Sequence, residues 1–194
     1  MPEEADVAGA AAGRVDPRGF RDALALVPTG VVIVTAAPAG GEPLGMTMNS
    51  FASVSLDPPL VLFAIDRRAR SLDAWRRAPG YAVNVLAETQ GRLSNQFARP
   101  GPTRWAGVAA TPGLHGAPLL DGALARFECA AHACVDGGDH LIFVACVERL
   151  SANPASPPLV FHRGRYTSVG TNLGRAAETV PHAALLTWPL AMHY

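Results

Sequence analysis

Hydroxyl and amide side chains crowd into one short stretch of the sequence. Thr47, Asn49, Ser50, Ser53 and Ser55 follow one another closely between two apolar segments. Buried polar groups need hydrogen-bond partners, so the stretch requires either an internal network or a polar ligand. No Asp, Glu or Lys lies among these residues, which favours recognition of a polyol chain, a phosphate or a heteroaromatic edge over acid–base chemistry. The alternative is a serine-rich turn whose hydroxyls bond to the local backbone.

A second polar position interrupts an apolar run. Asn84 lies within Val83-Asn84-Val85-Leu86, where a buried amide needs a partner, either a ligand or the neighbouring backbone. Gln90 and Phe97 follow it along the chain. The spacing of Phe97 fits a core position at least as well as a ring-stacking one.

The third candidate is His140, which ends the run Gly138-Asp139-His140. Its imidazole could donate a proton or contact an aromatic cofactor, and Asp139 could orient the ring or complete a turn. A structural histidine at the start of a strand is the alternative. The other histidines considered fall at no metal-ligand spacing, so no zinc site is expected at His115, His132 and His162.

Several familiar site motifs are missing from the sequence. It contains no G-x-G-x-x-G after a strand, no G-x-x-x-x-G-K-[ST] and no G-x-S-x-G. Neither a Rossmann site, nor a P-loop, nor a hydrolase nucleophile elbow is therefore supported. If a dinucleotide binds, it binds without a Rossmann or P-loop motif.

The elements that must hold these candidates are mostly short strands. Asp16 and Pro17 predict the start of an amphipathic helix that ends near Leu26. Many short strands, few helices and no βαβ alternation predict a mainly β fold, a barrel with helices packed outside it. The predicted strands are 31–35, 44–50, 60–65, 81–86, 123–135 and 140–147, with an edge element at 159–166; further helices are 71–77 and 88–97, and a Pro/Gly-rich crossing covers 100–118. The turn at 136–139 predicts a hairpin.

Length and composition limit the class of protein. The 194 residues suit one compact domain; 49% are hydrophobic, 16% are charged and the formal net charge is zero. Binding to nucleic acid or to an anionic membrane is therefore not expected, and the low charge favours burial of some surface against another subunit. We expect residues 1–16 to be a disordered tail, 17–170 the domain, and 171–194 an arm that docks on a neighbouring subunit.

The N-terminus and the cysteines indicate the compartment. The first residues carry acidic side chains and no basic start followed by an apolar run, so neither a secretory signal nor a membrane span is expected, and the cytoplasm is the predicted location. Cys129, Cys134 and Cys146 cannot all pair and form no C-x-x-C. We expect buried structural thiols.

Taken in order, these motifs resemble the short-chain flavin reductase family, the reductase components of two-component flavin-dependent monooxygenases. The resemblance covers about residues 20–170 and implies an FMN-binding split β-barrel, a homodimer with flavin near the subunit interface. It depends on the order of the pieces, since each alone is weak. The pieces are Pro28-Thr29-Gly30-Val31, Gly45-Met46-Thr47 running through Asn49-Ser50-Phe51 to Leu56-Asp57-Pro58-Pro59, Val83-Asn84-Val85-Leu86 with Gln90 and Phe97-Ala98, Gly138-Asp139-His140, Pro158-Leu159-Val160-Phe161 and Gly164-x-Tyr166.

The resemblance also implies which residues contact the cofactors. Thr47, Asn49 and Ser50, with Met48 among them, would hold the ribityl chain and phosphate, and Ser71 at a helix N-terminus would give a second phosphate contact. His140, as the catalytic residue, and Tyr166 would face the nicotinamide. The remaining positions would be Ser53, Val54 and Ser55 along the isoalloxazine, Asn84, Val85 and Leu86 at its polar edge, and Gln90 and Phe97 close by.

The function implied is that of an NAD(P)H:flavin oxidoreductase that passes a hydride to FMN or FAD and supplies reduced flavin to a partner monooxygenase or halogenase. The choice between FMN and FAD stays open. NADH is favoured over NADPH because no basic cluster is placed to read a 2′-phosphate. Two alternatives remain: a flavoprotein reductase or oxidase that retains its flavin and acts on another substrate, and a non-catalytic flavin-binding sensor.

Overall fold

The structure, a computed structural model, describes residues 15–99, 101, 103–153 and 156–169. All but the last two residues of the predicted N-terminal tail, and the whole predicted C-terminal arm, lie outside these ranges. Helix α1 (Pro17–Leu24) begins as predicted, with the Asp16 carboxylate accepting a hydrogen bond from the backbone N–H of Gly19 at 2.7 Å. It ends two residues earlier than predicted. Within the described ranges no helix combines the length and the hydropathy needed to cross a membrane.

Strands make up most of the described chain, as predicted. The strands are β1 (Thr29–Gly30), β2 (Val32–Ala36), β3 (Leu44–Met48), β4 (Ala52–Leu56), β5 (Pro59–Asp66), β6 (Gly80–Val85), β7 (Ala110–Pro112), β8 (Pro118–Leu120), β9 (Ala125–Gly137), β10 (His140–Ala152), β11 (Leu159–His162) and β12 (Arg165–Ser168). The other helices are α2 (Leu72–Arg77) and α3 (Gly91–Ala98), the latter preceded by a single 3₁₀ turn at Glu88–Gln90.

The main sheet is antiparallel and has seven strands in the order β3-β2-β6-β9-β10-β5-β4. Its two edge strands are consecutive in the chain, separated only by Asn49, Ser50 and Phe51. Such a link spans at most about 14 Å, whereas the edges of a flat seven-stranded sheet lie about 29 Å apart. The sheet must therefore curl until its two edge strands, which do not pair with each other in the described chain, are close enough for this link, and it forms the predicted barrel. A smaller sheet, β1-β11-β12, and the β7–β8 hairpin lie beside it.

Strand β2 is buried on both faces, which explains its uninterrupted β-branched run. Val32 and Val34 belong to the core that contains Phe63 and Phe143, whose rings stack with centroids 5.2 Å apart. Ile33 belongs to a second core, and Val31, just before the strand, joins it there. This second core also contains Phe97, Leu120 and Leu159. Alternate side chains of β2 thus pack into the barrel interior on one face and into the core that contains Phe97 of α3 on the other.

The β9–β10 hairpin is confirmed as predicted. Gly137 pairs with His140, which leaves a two-residue loop of Gly138 and Asp139. Gly138 has φ +75°, a left-handed conformation that only glycine adopts without strain. Glycine at the first loop position is the signature of a type II′ turn, whose twist matches that of the flanking strands.

Some predictions at the level of elements were wrong. The serine-rich stretch was predicted to lie between two strands, but Ala52–Leu56 forms strand β4 at a sheet edge. It lacks an apolar alternation because four of its five residues are exposed. The Pro/Gly-rich crossing contains the short hairpin β7–β8, and Ser71 stands at the N-cap of α2 without making a side-chain capping bond.

The cysteines only partly follow the prediction. All three are free, and Cys129 is buried, which raises the pKa of its thiol to about 12. Cys134 is exposed and Cys146 half-buried, so the prediction of buried thiols was wrong for Cys134. It lies in the half of β9 that extends beyond the β6 partner strand.

Candidate functional site

A cleft of about 640 Å³ opens between β3, the segment that follows β5, and the end of α3. This volume lies in the range of small-molecule and cofactor sites. Three of the sequence-predicted residues line it: Thr47, Ser71 and Phe97. Arg68, Arg70, Arg104 and Trp105 line it as well.

The cleft carries a positive charge. Arg68, Arg70 and Arg104 line it, against the single carboxylate of Glu42 among the described lining residues. Arg68 forms a two-pronged ion pair with Asp66, with Nη2 to Oδ2 at 2.7 Å, and its hydrogen bonds hold the pKa of the Asp66 carboxyl well below the usual range. Such a set of guanidinium groups suits an anionic ligand such as a phosphate.

Arg104 and Trp105 also fix the wall of the cleft. The Nη1 of Arg104 donates to the carbonyl of Gly45 at 2.7 Å, and the indole Nε1 of Trp105 donates to the carbonyl of Pro43 at 2.8 Å. The rings of Trp105 and Phe97 meet edge to face with centroids 4.9 Å apart. Gly45 permits this arrangement, because a Cβ there would lie 2.4 Å from the Phe97 ring.

The hydroxyls of Thr47 and Ser50 both donate their protons to main-chain carbonyls. Thr47 Oγ1 donates to the carbonyl of Ser94 at 2.6 Å, while Ser50 Oγ donates to the carbonyl of Ala64 at 3.3 Å and accepts from its N–H at 3.0 Å. A hydroxyl has one proton and two lone pairs. In this arrangement each can still accept a hydrogen bond from a ligand but has no proton for a phosphate. Asn49 is exposed, and its Nδ2 donates to Thr29 Oγ1 at 3.3 Å.

Tyr166 reaches the same region through Ser94. The Ser94 hydroxyl, fully buried, lies 2.8 Å from the Tyr166 hydroxyl, which also donates to Asn95 Oδ1 at 3.2 Å. The bond from Thr47 to the carbonyl of Ser94 completes a chain from β3 through α3 to β12. Tyr166 thereby holds the small sheet against the helix that forms one side of the cleft.

Asn84 is bonded within the protein. Its side chain is 0% exposed; Oδ1 accepts from the N–H of Leu120 at 2.9 Å and Nδ2 donates to the carbonyl of Ile33 at 3.1 Å. Leu86 is also buried, and Val85 half-buried. The backbone partner foreseen as the alternative for Asn84 is therefore the one observed.

Gln90 is likewise satisfied by main-chain groups. Its Oε1 accepts from the N–H of Ala87 at 3.0 Å, and its Nε2 donates to the carbonyl of Asp121 at 2.9 Å. These two bonds fasten the 3₁₀ turn before α3 to the loop that precedes β9. Met48 belongs to the barrel core rather than to the cleft lining.

His140 stands at a different edge of this region. Its Nδ1 lies 2.7 Å from Asp139 Oδ1, and this hydrogen bond lowers the pKa of Asp139. In the sheet His140 pairs with Asp66, two residues before Arg68. The imidazole is 41% exposed, so it is open to a ligand that approaches over the end of β5.

Strand β4 carries the remaining predicted contacts. Ser53 and Val54 are exposed and Ser55 is half-buried. A bulge lies between Ser53 and Ser55, opposite Val61 and Leu60. Bulges at sheet edges redirect side chains and often adjoin functional sites.

Sequence reasoning missed the arginines. Arg68 and Arg70 had a detectable signal, since a basic run that ends in Ser71 follows directly on an apolar strand. Arg104 and Ser94 had none, because their roles depend on contacts with residues about fifty positions away in the chain.

An antiparallel sheet curled into a barrel, with an arginine-lined cleft near the link between its edge strands, fits the split-barrel class of cofactor-binding oxidoreductases. The sequence model of a protein family, described as the flavin reductase like domain, matches residues 24–170. The chain belongs to this family.

Similar proteins have been described in several bacteria. The reductase subunit HsaB of a flavin-dependent monooxygenase from Rhodococcus jostii is 40% identical over 87% of this chain and 86% of its own length. The solved structure of the NADH:FAD oxidoreductase SgcE6 of Streptomyces globisporus, in complex with NAD and FAD fragments, is 38% identical with a TM-score of 0.77, and the match covers 82% of this chain and 98% of that one. A Rhizobium meliloti protein described as a probable flavin reductase is 42% identical over 78% of this chain, which spans 48% of that protein's length.

The environment of Asn84 leads to a prediction about stability. We expect Asn84→Ala to lower the free energy of unfolding by about 2–4 kcal/mol, because the N–H of Leu120 and the carbonyl of Ile33 would be left buried without partners. Asn49→Ala, an exposed control, is expected to change it by less than about 0.5 kcal/mol. Urea unfolding of both variants measures the difference. Wild-type stability of Asn84→Ala with loss of ligand binding would instead assign the amide to the ligand.

Proposed function

We propose that this chain is an NAD(P)H:flavin oxidoreductase that reduces FMN or FAD and supplies the reduced flavin to a partner monooxygenase or halogenase. The observation that carries the proposal is the arginine-lined cleft with its aromatic wall, in a chain that belongs to the flavin reductase-like family. The relatives named as monooxygenase reductase subunits support the partner class.

The lining of the cleft offers partners for the phosphate and the ribityl chain of a flavin nucleotide. We assign the phosphate to Arg68, Arg70 and Arg104, with the Ser71 hydroxyl beside them, because cations lie there together with a hydroxyl that makes no capping bond to its helix. We assign the ribityl hydroxyls to Thr47, which offers an acceptor and no proton. The expectation was that Thr47, Asn49 and Ser50 hold the ribityl chain and the phosphate; this proposal keeps the ribityl contact for Thr47 and assigns the phosphate to other residues.

The other predicted contacts divide into two groups. The isoalloxazine is assigned to the exposed Ser53 and Val54 and the half-buried Ser55, close to the link that carries Asn49. Asn84 and Gln90, whose polar atoms bond to the protein, are assigned to support of the site rather than to ligand contact.

When bound, a flavin accepts a hydride from the reduced nicotinamide and carries the electrons to the next acceptor. The protein's part is to hold the two rings in contact and to limit the entropy lost in bringing them together. We assign the nicotinamide side to His140, whose ring orientation is set by Asp139. Tyr166 is assigned to support of α3, through its hydrogen bond with Ser94. The cytoplasm, where NADH is available, is the proposed location.

Enzyme assay tests the proposal directly. Purified protein is expected to oxidise NADH when FMN or FAD is added, at a rate that saturates with flavin, and NADPH is compared in parallel. The absorption spectrum of the protein as isolated is the control for retained flavin. A yellow protein that does not turn over added flavin would contradict supply of flavin to a partner and would favour an enzyme that retains it.

The hydrogen bond of Thr47 leads to a prediction about ligand selectivity. Thr47→Val is expected to weaken binding of riboflavin and FMN equally, about three- to tenfold, because it removes an acceptor for the ribityl chain. Thr47→Ser should bind as the wild type. Arg70→Ala is the matched comparison and is expected to weaken FMN about tenfold but not riboflavin. Flavin fluorescence titration measures the affinities of the wild type and the three variants for both ligands, and a loss confined to FMN in Thr47→Val would refute the assignment.

We further propose a homodimer. In the described part of the chain helix α1 buries none of its residues, so that Phe20 is 57% and Leu24 54% exposed. Apolar side chains grouped on one exposed helix favour contact with another protein surface, and cyclic dimers are the commonest assemblies. Light scattering is expected to give twice the 20.2 kDa mass of one chain. A particle with the mass of a single chain would contradict the dimer.

A further inference from the structure

We propose that Arg67 is a positioning residue that fixes the β9–β10 turn and, through it, the imidazole of His140. The inference rests on the proposed function, in which His140 faces the nicotinamide. It concerns a residue that lies outside the cleft lining, although its neighbours Arg68 and Arg70 line the cleft.

Arg67 contacts the turn at three points. Its side-chain Nε donates to the carbonyl of Gly138 at 2.9 Å, and its guanidinium forms an ion pair with Asp136. Its backbone N–H donates to the carbonyl of Asp139 at 3.0 Å. One residue at the end of β5 thus binds the strand before the turn and both residues of its loop.

The β9–β10 turn sets the orientation of the His140 ring. The Asp139 carboxylate bonds to Nδ1 of His140 at 2.7 Å, which determines the ring nitrogen left to face a ligand. Asp139 is itself 84% exposed, so little besides the backbone of the turn restrains its side chain. Loss of the two Arg67 side-chain contacts would leave the Gly138-Asp139 loop held to this segment by the backbone bond to Asp139 alone, which loosens the orientation of the ring.

An ordinary surface ion pair would not have this effect. Isolated exposed pairs contribute little to stability, since solvent screens them and the side chains lose entropy. Arg67 differs because its side chain joins a hydrogen bond to the main-chain carbonyl of Gly138 with the ion pair to Asp136, and so holds both the loop and the strand before it. The expected consequence is therefore geometric, a misplaced imidazole, rather than a less stable fold.

The first experiment compares Arg67→Ala with Arg76→Ala. Arg76 lines the same surface hollow as Arg67 and Asp136 but makes no hydrogen bond to the turn within the described chain. We expect Arg67→Ala to lower kcat/KM for NADH about tenfold, since small misplacements of reacting groups are costly. The Kd for FMN and the unfolding midpoint should stay unchanged. Arg76→Ala should match the wild type, and Arg67→Lys should recover only part of the loss, because a lysine lacks the planar fork.

A double-mutant cycle with His140→Gln tests the route of the effect. If Arg67 acts through His140, Arg67→Ala should have less than about a twofold further effect in the His140→Gln background. Additive losses would overturn the proposal. A loss in His140→Gln with none in Arg67→Ala would also overturn it while leaving the proposed function intact.

An NMR measurement that needs no turnover tests the positioning role of Arg67 separately from the proposed flavin reductase activity. The NMR signals of the His140 ring are expected to shift or broaden in Arg67→Ala and not in Arg76→Ala. If the wild type failed to oxidise NADH, the proposed function would be wrong, yet the ring signals would still report whether Arg67 holds the histidine. Unchanged His140 signals in Arg67→Ala would refute the inference whatever the activity.

Discussion

The link of three residues between β3 and β4 constrains the rest of the structure. It joins the two edges of a seven-stranded sheet, so the sheet has to close, and the cleft lies beside the place where it closes. Ser50 in this link bonds to both main-chain polar groups of Ala64 on β5. Phe51 beside it packs against Phe127 with ring centroids 5.8 Å apart. A polar anchor and an apolar one thus hold the same crossing, and the residues around it acquire fixed positions because neither edge can move alone.

The segment that leaves β5 divides one kind of side chain between two tasks. Arg68 and Arg70 line the cleft, whereas Arg67 points to the β9–β10 turn. All three are guanidinium groups, whose planar donors suit carbonyls and carboxylates as well as phosphates. Their tasks differ because Arg68 forms an ion pair with the nearby Asp66, while Arg67 bonds to Gly138 and Asp136. The positive charge of the cleft and the geometry of the turn therefore depend on one short stretch of sequence.

The polar residues of the site fall into two groups: those whose hydrogen-bonding atoms are all bonded within the protein, and those that keep an atom available to a ligand. Asn84 and Gln90 use both ends of their amides on main-chain groups, which the buried Asn84 requires. Thr47 gives away its proton and keeps lone pairs, and Ser71 makes no capping bond. These differences are invisible in a sequence, where all four are polar residues beside an apolar strand. They decide which side chains remain available to a ligand.

The sequence by itself determined the mainly β class, the β9–β10 hairpin and the doubly buried strand β2. Each of these depends on short-range chemistry: a glycine with φ +75° in a two-residue loop, and a β-branched run that needs apolar surroundings on both faces. Strand β4 escaped prediction because an exposed edge imposes no apolar alternation. Only the tertiary structure brought Arg104 to the carbonyl of Gly45 and Ser94 to Thr47. Long-range contacts of this kind follow from the way the sheet closes, and no local pattern encodes them.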